Sequence, residues 1–423
     1  MLTAADAHAR DIADPLAHFR HRFHLIPNTI YMDGNSLGLL SYDAETHVMR
    51  MLAEWKELGI GGWANANPPW YYTGENLGTL MAPLVGAEPD EVIATGTTTV
   101  NLHSLVATFY RPTRSRRKIL CTALDFPSDI YALASEVALQ GGDPSVDLLA
   151  IPSEDGRTIA EDAIIAAMTD EVALILLPSV LYRGGQLLDM ARLTVAAHAQ
   201  NIPIGFDCAH SIGAVPHSLS DWNVDFAFWC GYKYLNGGPG TVGGIYVNRR
   251  HLSTLPALRG WWGYDKLRQF DMAAEFIAAG TAGSWQISAN PLLSAAPLYG
   301  SLQIIAEADI EAIRTKSLAL TDYLIALMSE LTQAPYSFVI GTPLDHHRRG
   351  GHVAIEHPEG ARIAKALKSR GVIPDFRPPT AIRLAPIALY NTYFDVWQTV
   401  QHLRDIIDTQ EYLQFAPGRD LIA

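Results

Sequence analysis

Basic charge is scarce in this 423-residue chain, where 31 Lys and Arg face 44 Asp and Glu for a net charge of −13. No long basic run offsets this. The densest patch, Arg111 to Lys118, is short and reads as a solvated connector, which argues against a nucleic-acid surface. The three cysteines, Cys121, Cys208 and Cys230, each lie in or beside an apolar strand-like run. Buried free thiols in a reducing compartment are therefore expected, not a disulfide framework. The most apolar stretch, Val172 to Leu181, is about half a membrane span and contains Pro178. Residues 1–24 are rich in His, Asp and Arg and lack the apolar region of a secretory leader, so a cytoplasmic location is expected. His346, His347 and His352 have no acidic or cysteine partner at ligand spacing and read as a surface loop; no metal is expected. Internal repeats and low-complexity segments are absent.

What is present is an ordinary globular composition, 48% apolar and 18% charged, with enough chain for two domains. Strand-like runs at Arg117–Thr122, Val172–Leu177, Ile202–Phe206, Phe226–Cys230 and Gly243–Val247 alternate with helical patterns at Asp129–Leu139 and Met190–Ala199. Continuous apolar strands with helices between them predict an α/β fold with a mostly parallel sheet covered on both faces. From about Ala306 the pattern changes. A long helix, Ile310 to Leu331, leads into strands at His352–Glu356, Val372–Asp375 and Ala381–Ala385. A helix from Pro358-Glu359 to Gly371 and a last one from about Phe394 to Thr409 complete a small α+β domain. The expected division is an N-terminal segment, 1–50, packing with the small domain; a large domain, 51–302; and the small domain, 303–423.

Chemistry concentrates between Asn201 and Gly244. One strand ends in Asp207 with His210 three residues on; the next ends in Tyr232-Lys233 before a loop carrying Gly237, Gly238 and Gly240. A carboxylate and a lysine at neighbouring strand ends are what pyridoxal 5′-phosphate (PLP) requires. The lysine forms a Schiff base with the aldehyde, and the aspartate keeps the pyridine nitrogen protonated. Ligands of open α/β sheets sit outside the carboxyl ends of the strands, where this reading puts both residues. Either residue alone would more simply be a polar strand end; the ordered set is harder to obtain by chance. Upstream, Ala94-Thr-Gly-Thr-Thr-Thr-Val-Asn-Leu-His103 supplies a glycine and hydroxyls at a helix start. Thr97 to Thr99 suit a phosphate at the positive helix end, or a plain N-cap. In Phe126-Pro127-Ser128-Asp129 the aromatic ring suits stacking on the pyridine face, while Ser128 or Asp129 suits a helix cap.

These residues carry a resemblance to the kynureninase family, fold-type-I PLP enzymes of the aspartate aminotransferase superfamily. It extends over nearly the whole chain through Tyr31-Met-Asp-Gly-Asn-Ser-Leu-Gly-Leu39, Gly205-Phe-Asp-Cys-Ala-His210, Gly231-Tyr-Lys-Tyr-Leu-Asn236, Gly260-Trp-Trp-Gly263, Arg349-Gly-Gly-His352 and Ile382-Arg-Leu-Ala-Pro386. The resemblance implies a seven-stranded-type sheet and a homodimer with active sites at the subunit interface. It implies hydrolysis of the Cβ–Cγ bond of L-kynurenine, with 3-hydroxykynurenine as a further substrate, to anthranilate and L-alanine in tryptophan catabolism. By the same resemblance Lys233, Tyr232 and Asp207 are catalytic. Thr98, Thr99 and Tyr232 hold the phosphate, Ser128 also binds the cofactor, Phe126 and Asp129 contact the ring, and His210 lies near the phenolic oxygen or phosphate. Trp261 reaches the cofactor from the partner subunit. Arg383 clamps the substrate α-carboxylate, with Arg377 as the competing arginine, and Asn35 and Ser36 line the substrate site.

Two departures stand out. Where the family often has asparagine in Trp-Gln-Leu-Ser-Asn-Pro-Pro, this chain has Ala289, leaving Ser288 or Asn290 as substitutes. A substrate-ring histidine of some members is Trp63 here, which implies an aryl-pocket wall favouring the unhydroxylated ring. The alternative reading is an aminotransferase or a cysteine desulfurase-like PLP enzyme on the same fold. The desulfurase is disfavoured because no cysteine follows Cys230.

Overall fold

Seven strands form the central sheet of the computed structural model, which describes residues 2–418. Met1 and residues 419–423, the ends of the expected outer segments, lie outside it. The strands are β1 Val92–Thr95, β2 Lys118–Thr122, β3 Leu148–Ile151, β4 Val172–Pro178, β5 Ile204–Asp207, β6 Phe226–Trp229 and β7 Gly243–Val247. Their order across the sheet is β1-β7-β6-β5-β4-β2-β3. All neighbours are parallel except β7, which runs antiparallel to both β1 and β6.

Alternate residues of each strand enter opposite cores. Leu120, Ile175, Ile204, Phe206 and Ala227 join one apolar cluster, whereas Ile119, Cys121, Leu174, Leu176, Phe226 and Phe228 join the other. Both faces are dry, which is why these strands read as unbroken apolar runs. The approach of β5 to β6 demands a glycine: a Cβ on Gly205 would lie 2.0 Å from the Phe226 ring. The two strands that the apolar pattern does not reveal have physical reasons. β3 is an edge strand whose residues are mostly half-exposed or exposed, and β1 offers an apolar run of only Val92 to Ala94, between Glu91 and Thr95. All three cysteines are free and buried, as expected. The basic patch, expected to be a solvated connector, is tied down at its end. Arg116 donates to the carbonyls of Asp170, Gln200 and Asn201, and Arg117 pairs with Asp147.

A second, four-stranded antiparallel sheet holds Asp375–Arg377, Ala381–Leu384, Val353–Glu356 and Val339–Ile340 in that order. Helices Ile310–Ser329, Gly360–Ser369 and Tyr393–Asp408 share its core. The N-terminal helix Ala4–Ile12 packs on Tyr393–Asp408, and Ile30–Tyr31 pairs in parallel with Val372–Ile373. Helix Leu292–Ala308 packs on Tyr42–Leu58, and its Ile304, Ile305 and Ala308 belong to the large core.

The N-terminal segment is pinned by buried charge. Lys316 Nζ lies 2.6 Å from Asp14 Oδ2, with both side chains nearly sealed from solvent. Removing one member of such a pair strands the other. Asp14→Ala should therefore cost about 3–5 kcal/mol in urea unfolding. A loss below about 1 kcal/mol, the range of a surface pair, would show that the pair is not insulated.

Candidate active site

Loops leave the carboxyl ends of β1, β2, β4, β5 and β6 along one sheet edge, and the chemistry-bearing side chains stand on them. After β1 the chain turns through Gly96, whose φ of +54° is left-handed, and enters helix Thr98–Phe109. Thr97 occupies the N-cap position but makes no side-chain bond, so the expected threonine cap is not formed. The first-turn N–H groups keep their capacity for an anion. Helix Pro127–Leu139 likewise starts without a side-chain cap. Phe126 is its N-cap and Pro127 its first residue, so neither Ser128 nor Asp129 caps it. Their side chains turn elsewhere: Ser128 Oγ lies 3.4 Å from Thr99 Oγ1, joining the two helix starts.

Asp207 closes β5. Its Oδ1 accepts the Ala209 N–H at 2.8 Å, and its carbonyl accepts both the N–H and the hydroxyl of Ser179, at 2.8 and 2.9 Å. Its carboxyl meets that of Asp129. Burial pushes Asp207 above the ordinary carboxylate value while the Lys233 charge pulls it down. Asp129 is pushed well above, first by burial and then by Asp207 and Asp125. Two carboxyls this close share a proton more readily than they both ionise. Asp125, not among the expected site residues, is the third of the group. Burial pushes it up to about 7, against the hydrogen bonds it accepts from Thr122. Its signal was present in the chain: it precedes Asp129 by four residues, across the start of a helix.

Lys233 follows β6 by four residues and is half-buried, its charge felt by Asp207, Asp129 and His210. Tyr232 lies within hydrogen-bonding reach of Thr98 and Cys230, and burial holds its phenol above the ordinary value. His210 is buried with Nδ1 unpartnered, and burial beside Lys233 and Arg383 holds its ring well below the usual imidazole value. Phe126 stays partly exposed, edge-on to Tyr182 at 5.2 Å.

Arg383 reaches this edge from the small sheet. Its Nε donates to Asp375, Nη1 to the Tyr182 carbonyl at 2.6 Å and Nη2 to Ser36 Oγ at 3.1 Å; Nη1 keeps a second N–H. Burial lowers it to about 10, still protonated at neutral pH. Arg377 shares Asp375 through Nε and is more exposed. Asn35 is fully buried with both amide atoms unpartnered. His352, expected on a surface loop with His346 and His347, is instead fully buried against His210, with ring centroids 5.9 Å apart. Of the three imidazoles only that of His346 meets a carboxylate, Asp322, at 2.7 Å. No metal-binding cluster occurs among the described residues.

Three expected site residues lie elsewhere in the chain. Trp63, Trp261 and Ala289 line a separate cavity of about 880 Å³, together with Tyr71, Trp262 and Phe270. Trp63 packs against Trp262 at 5.3 Å and Trp70 at 6.0 Å. Of the two substitutes for the missing asparagine, Asn290 is committed to the Ala94 carbonyl at 3.0 Å, whereas Ser288 faces this cavity.

The buried carboxyls set a pH dependence. Asp125 has a folded value above its ordinary 3.8, so its contribution to stability is full below that pH and is lost as pH rises through about 7. The apoprotein should thus unfold at lower urea at pH 8 than at pH 5. Asp125→Asn should flatten part of that difference; an unchanged difference would remove Asp125 from the titration.

Comparison with known proteins places this geometry. Residues 313–403 match the family model described as the kynureninase C-terminal domain. The chain is 56% identical over 413 residues to the kynureninase of Geobacillus thermodenitrificans, covering 98% of this chain and 96% of that one. It is 54% identical over 414 residues to a kynureninase of Bacillus cereus, with the same coverage. Among solved structures, a C-DES variant with glycine covalently linked to its PLP cofactor aligns at TM-score 0.79 and 19% identity, covering 91% of this chain and 99% of that one. The cysteine desulfurase of Thermococcus onnurineus aligns at TM-score 0.78 and 16% identity, covering 93% and 98%. The structural matches establish the fold. With more than half of its residues identical to kynureninases along almost its whole length, the chain belongs to the kynureninase family.

Proposed function

We propose that this protein is a PLP-dependent hydrolase that cleaves the Cβ–Cγ bond of L-kynurenine, giving anthranilate and L-alanine, and that it works as a homodimer. The observation that carries the reading is that the charge of Lys233 acts on the buried carboxyl pair of Asp207 and Asp129 outside the strand ends, in a chain this similar to kynureninases. The residues fit the cofactor. An uncapped helix start faces the edge, His210 Nδ1 is buried without a partner, and the carboxyls lack a full complement of cations. Thr98, Thr99, Ser128 and Tyr232 would hold the phosphate; Phe126, Asp129, Asp207 and His210 would hold the ring. When bound, PLP supplies an electron sink for negative charge developing at the substrate's Cα and Cβ.

Lys233 Nζ takes the proton from Cα. Asp207, ionised once it faces a cation, keeps a proton on the pyridine nitrogen. Water adds to the γ-carbonyl, so that when the Cβ–Cγ bond breaks the carbonyl carbon leaves as the anthranilate carboxylate; Tyr232, which retains its own proton through neutral pH, is the donor to Cβ. Arg383, held by Asp375, Tyr182 and Ser36, offers its remaining Nη1 N–H and its charge to the α-carboxylate. A desulfurase would need a reactive thiol. Cys121, Cys208 and Cys230 are all buried, and burial pushes Cys208 up to about 12.

Purified, PLP-loaded protein should release fluorescent anthranilate from L-kynurenine, and Lys233→Ala should abolish release. Borohydride should fix the cofactor to Lys233; fixation to another lysine, or keto-acid formation without anthranilate, would overturn the reading.

Trp63 and Trp261 stand apart from Lys233 within one chain, so their roles at the aryl ring and cofactor are exerted across the dimer. Indole offers one N–H and no acceptor, so the O–H of a 3-hydroxyl buried against it lacks an acceptor, at a cost of about 1–3 kcal/mol. L-Kynurenine should therefore be preferred over 3-hydroxykynurenine by roughly tenfold in kcat/KM. Trp63→His should narrow the ratio. An unchanged ratio would take Trp63 out of the pocket.

A further inference from the structure

His352 has no part in the scheme above, yet its setting is unusual. The side chain is fully buried, and neither ring nitrogen has a hydrogen-bond partner. The Arg183 main chain is the acceptor that favours its proton, without reaching hydrogen-bond geometry. A buried polar group without a partner is costly, and native structures retain few of them. The ring lies against His210, tilted by 59°. Gly185 closes over it: a Cβ there would stand 3.2 Å from His352 Nε2 and 2.9 Å from the His352 carbonyl. The backbone holds this junction, since Gly350 donates to the Gly185 carbonyl at 2.8 Å and Gln186 bridges to Arg349. His352 also immediately precedes strand Val353–Glu356, which pairs with the strand of Arg383 through Ala354. It therefore stands between the arginine's strand and a histidine at the lysine end of the site.

We propose that His352 is a positioning residue for His210: an uncharged ring locked behind it that fixes the orientation in which His210 meets the cofactor. This rests on the PLP reading above. The groups facing the pair are cationic, with Lys233, Arg383 and Arg377 all acting on His210, and Lys233 and Arg383 acting on His352. Burial first, and these charges second, keep His352 neutral, its ring held down to about 3. No hydrogen bond joins the two rings, so His352 acts on His210 through packing and through the dipole of its neutral ring, 5.9 Å away between centroids.

The test is a mutant cycle on PLP-loaded protein, read by the pH titration of the cofactor's absorption band and by cofactor dissociation, neither of which requires kynurenine turnover. His352→Phe keeps a ring of similar size and removes both nitrogens. It should shift the band's titration midpoint and weaken cofactor binding roughly tenfold, with kcat falling by as much as a hundredfold. In a His210→Asn background the same substitution should add nothing, because its effect passes through His210. His352→Gln restores a polar group and should recover part of the loss; it carries the same cycle if the phenylalanine variant fails to fold. Equal effects in both backgrounds, or no effect on the band in either, would overturn the proposal and leave His352 as packing. If wild type shows a normal band without cleaving kynurenine, the substrate reading fails while this inference is still decided by the band.

Discussion

Everything at the sheet edge depends on one imbalance: three buried carboxyls, Asp125, Asp129 and Asp207, act on one another, and a single amine, Lys233, offsets only Asp129 and Asp207. Burial makes charge expensive, so without a second cation the aspartates retain protons. A pyridinium is a cation of the right shape to restore the balance, which is why the same carboxyls support the cofactor reading. The scaffold spends several groups on fixing Asp207. Ser179 binds its carbonyl twice, Ser211 Oγ lies 2.7 Å from Ser179 Oγ, and His217 Nε2 lies 2.9 Å from Ser211. That relay of short polar side chains runs through the interior beneath the strand ends. It orders the carboxylate's backbone without bringing further charge near it.

The sequence announces the centre of this arrangement because buried parallel strands leave an unmistakable trace. β5 and β6 are apolar on both faces, so Asp207 and Lys233 appear as abrupt polar interruptions at their ends. The parts that escaped notice lack that contrast. β3 is half-wet, and its run resembles a loop. His352 sits among two exposed histidines, and spacing tests for metal partners say nothing about burial. Hydroxyls near helix starts suggest caps, yet Pro127 presets the first turn of its helix and Thr97 leaves its own uncapped. A missing cap is invisible in one dimension, though it is what an anion would use.

A single chain holds two unequal parts of the expected site. The polar part, around Lys233 and Arg383, is mostly buried. The aromatic part, around Trp63 and Trp261, opens outward beside exposed Ile60, Leu267, Phe270 and Met272. Exposed apolar groups gathered at a wide cavity favour coverage by another protein surface. This supports the homodimer reading, in which the aromatic face of one subunit completes the polar half of the other. Ala289 and Ser288 lie on that aromatic face, so the departure from the family's asparagine leaves the lysine–aspartate centre untouched.

The N-terminal segment ties the two halves of the fold to the substrate side. Asp14 meets Lys316 and Arg20 meets Asp395 in the small domain, while Arg22 grips Asp43 and Glu307 on helices of the large core. The chain then passes Asp33, whose N–H···O partners shape the turn that delivers Ser36 to Arg383. Arg383 itself is anchored to Asp375 on its own sheet and to the carbonyl of Tyr182, in the loop that leaves the large sheet after β4. Its position is thus set jointly by the small sheet, by the loop after β4 and by the N-terminal segment. Any shift of the small domain relative to the large one must move Arg383 against Tyr182 or release one of them. The geometry of Arg383 is therefore coupled to how the two sheets sit together. His352, at the junction of the same loop with the neighbouring strand, lies where that coupling would reach the cofactor.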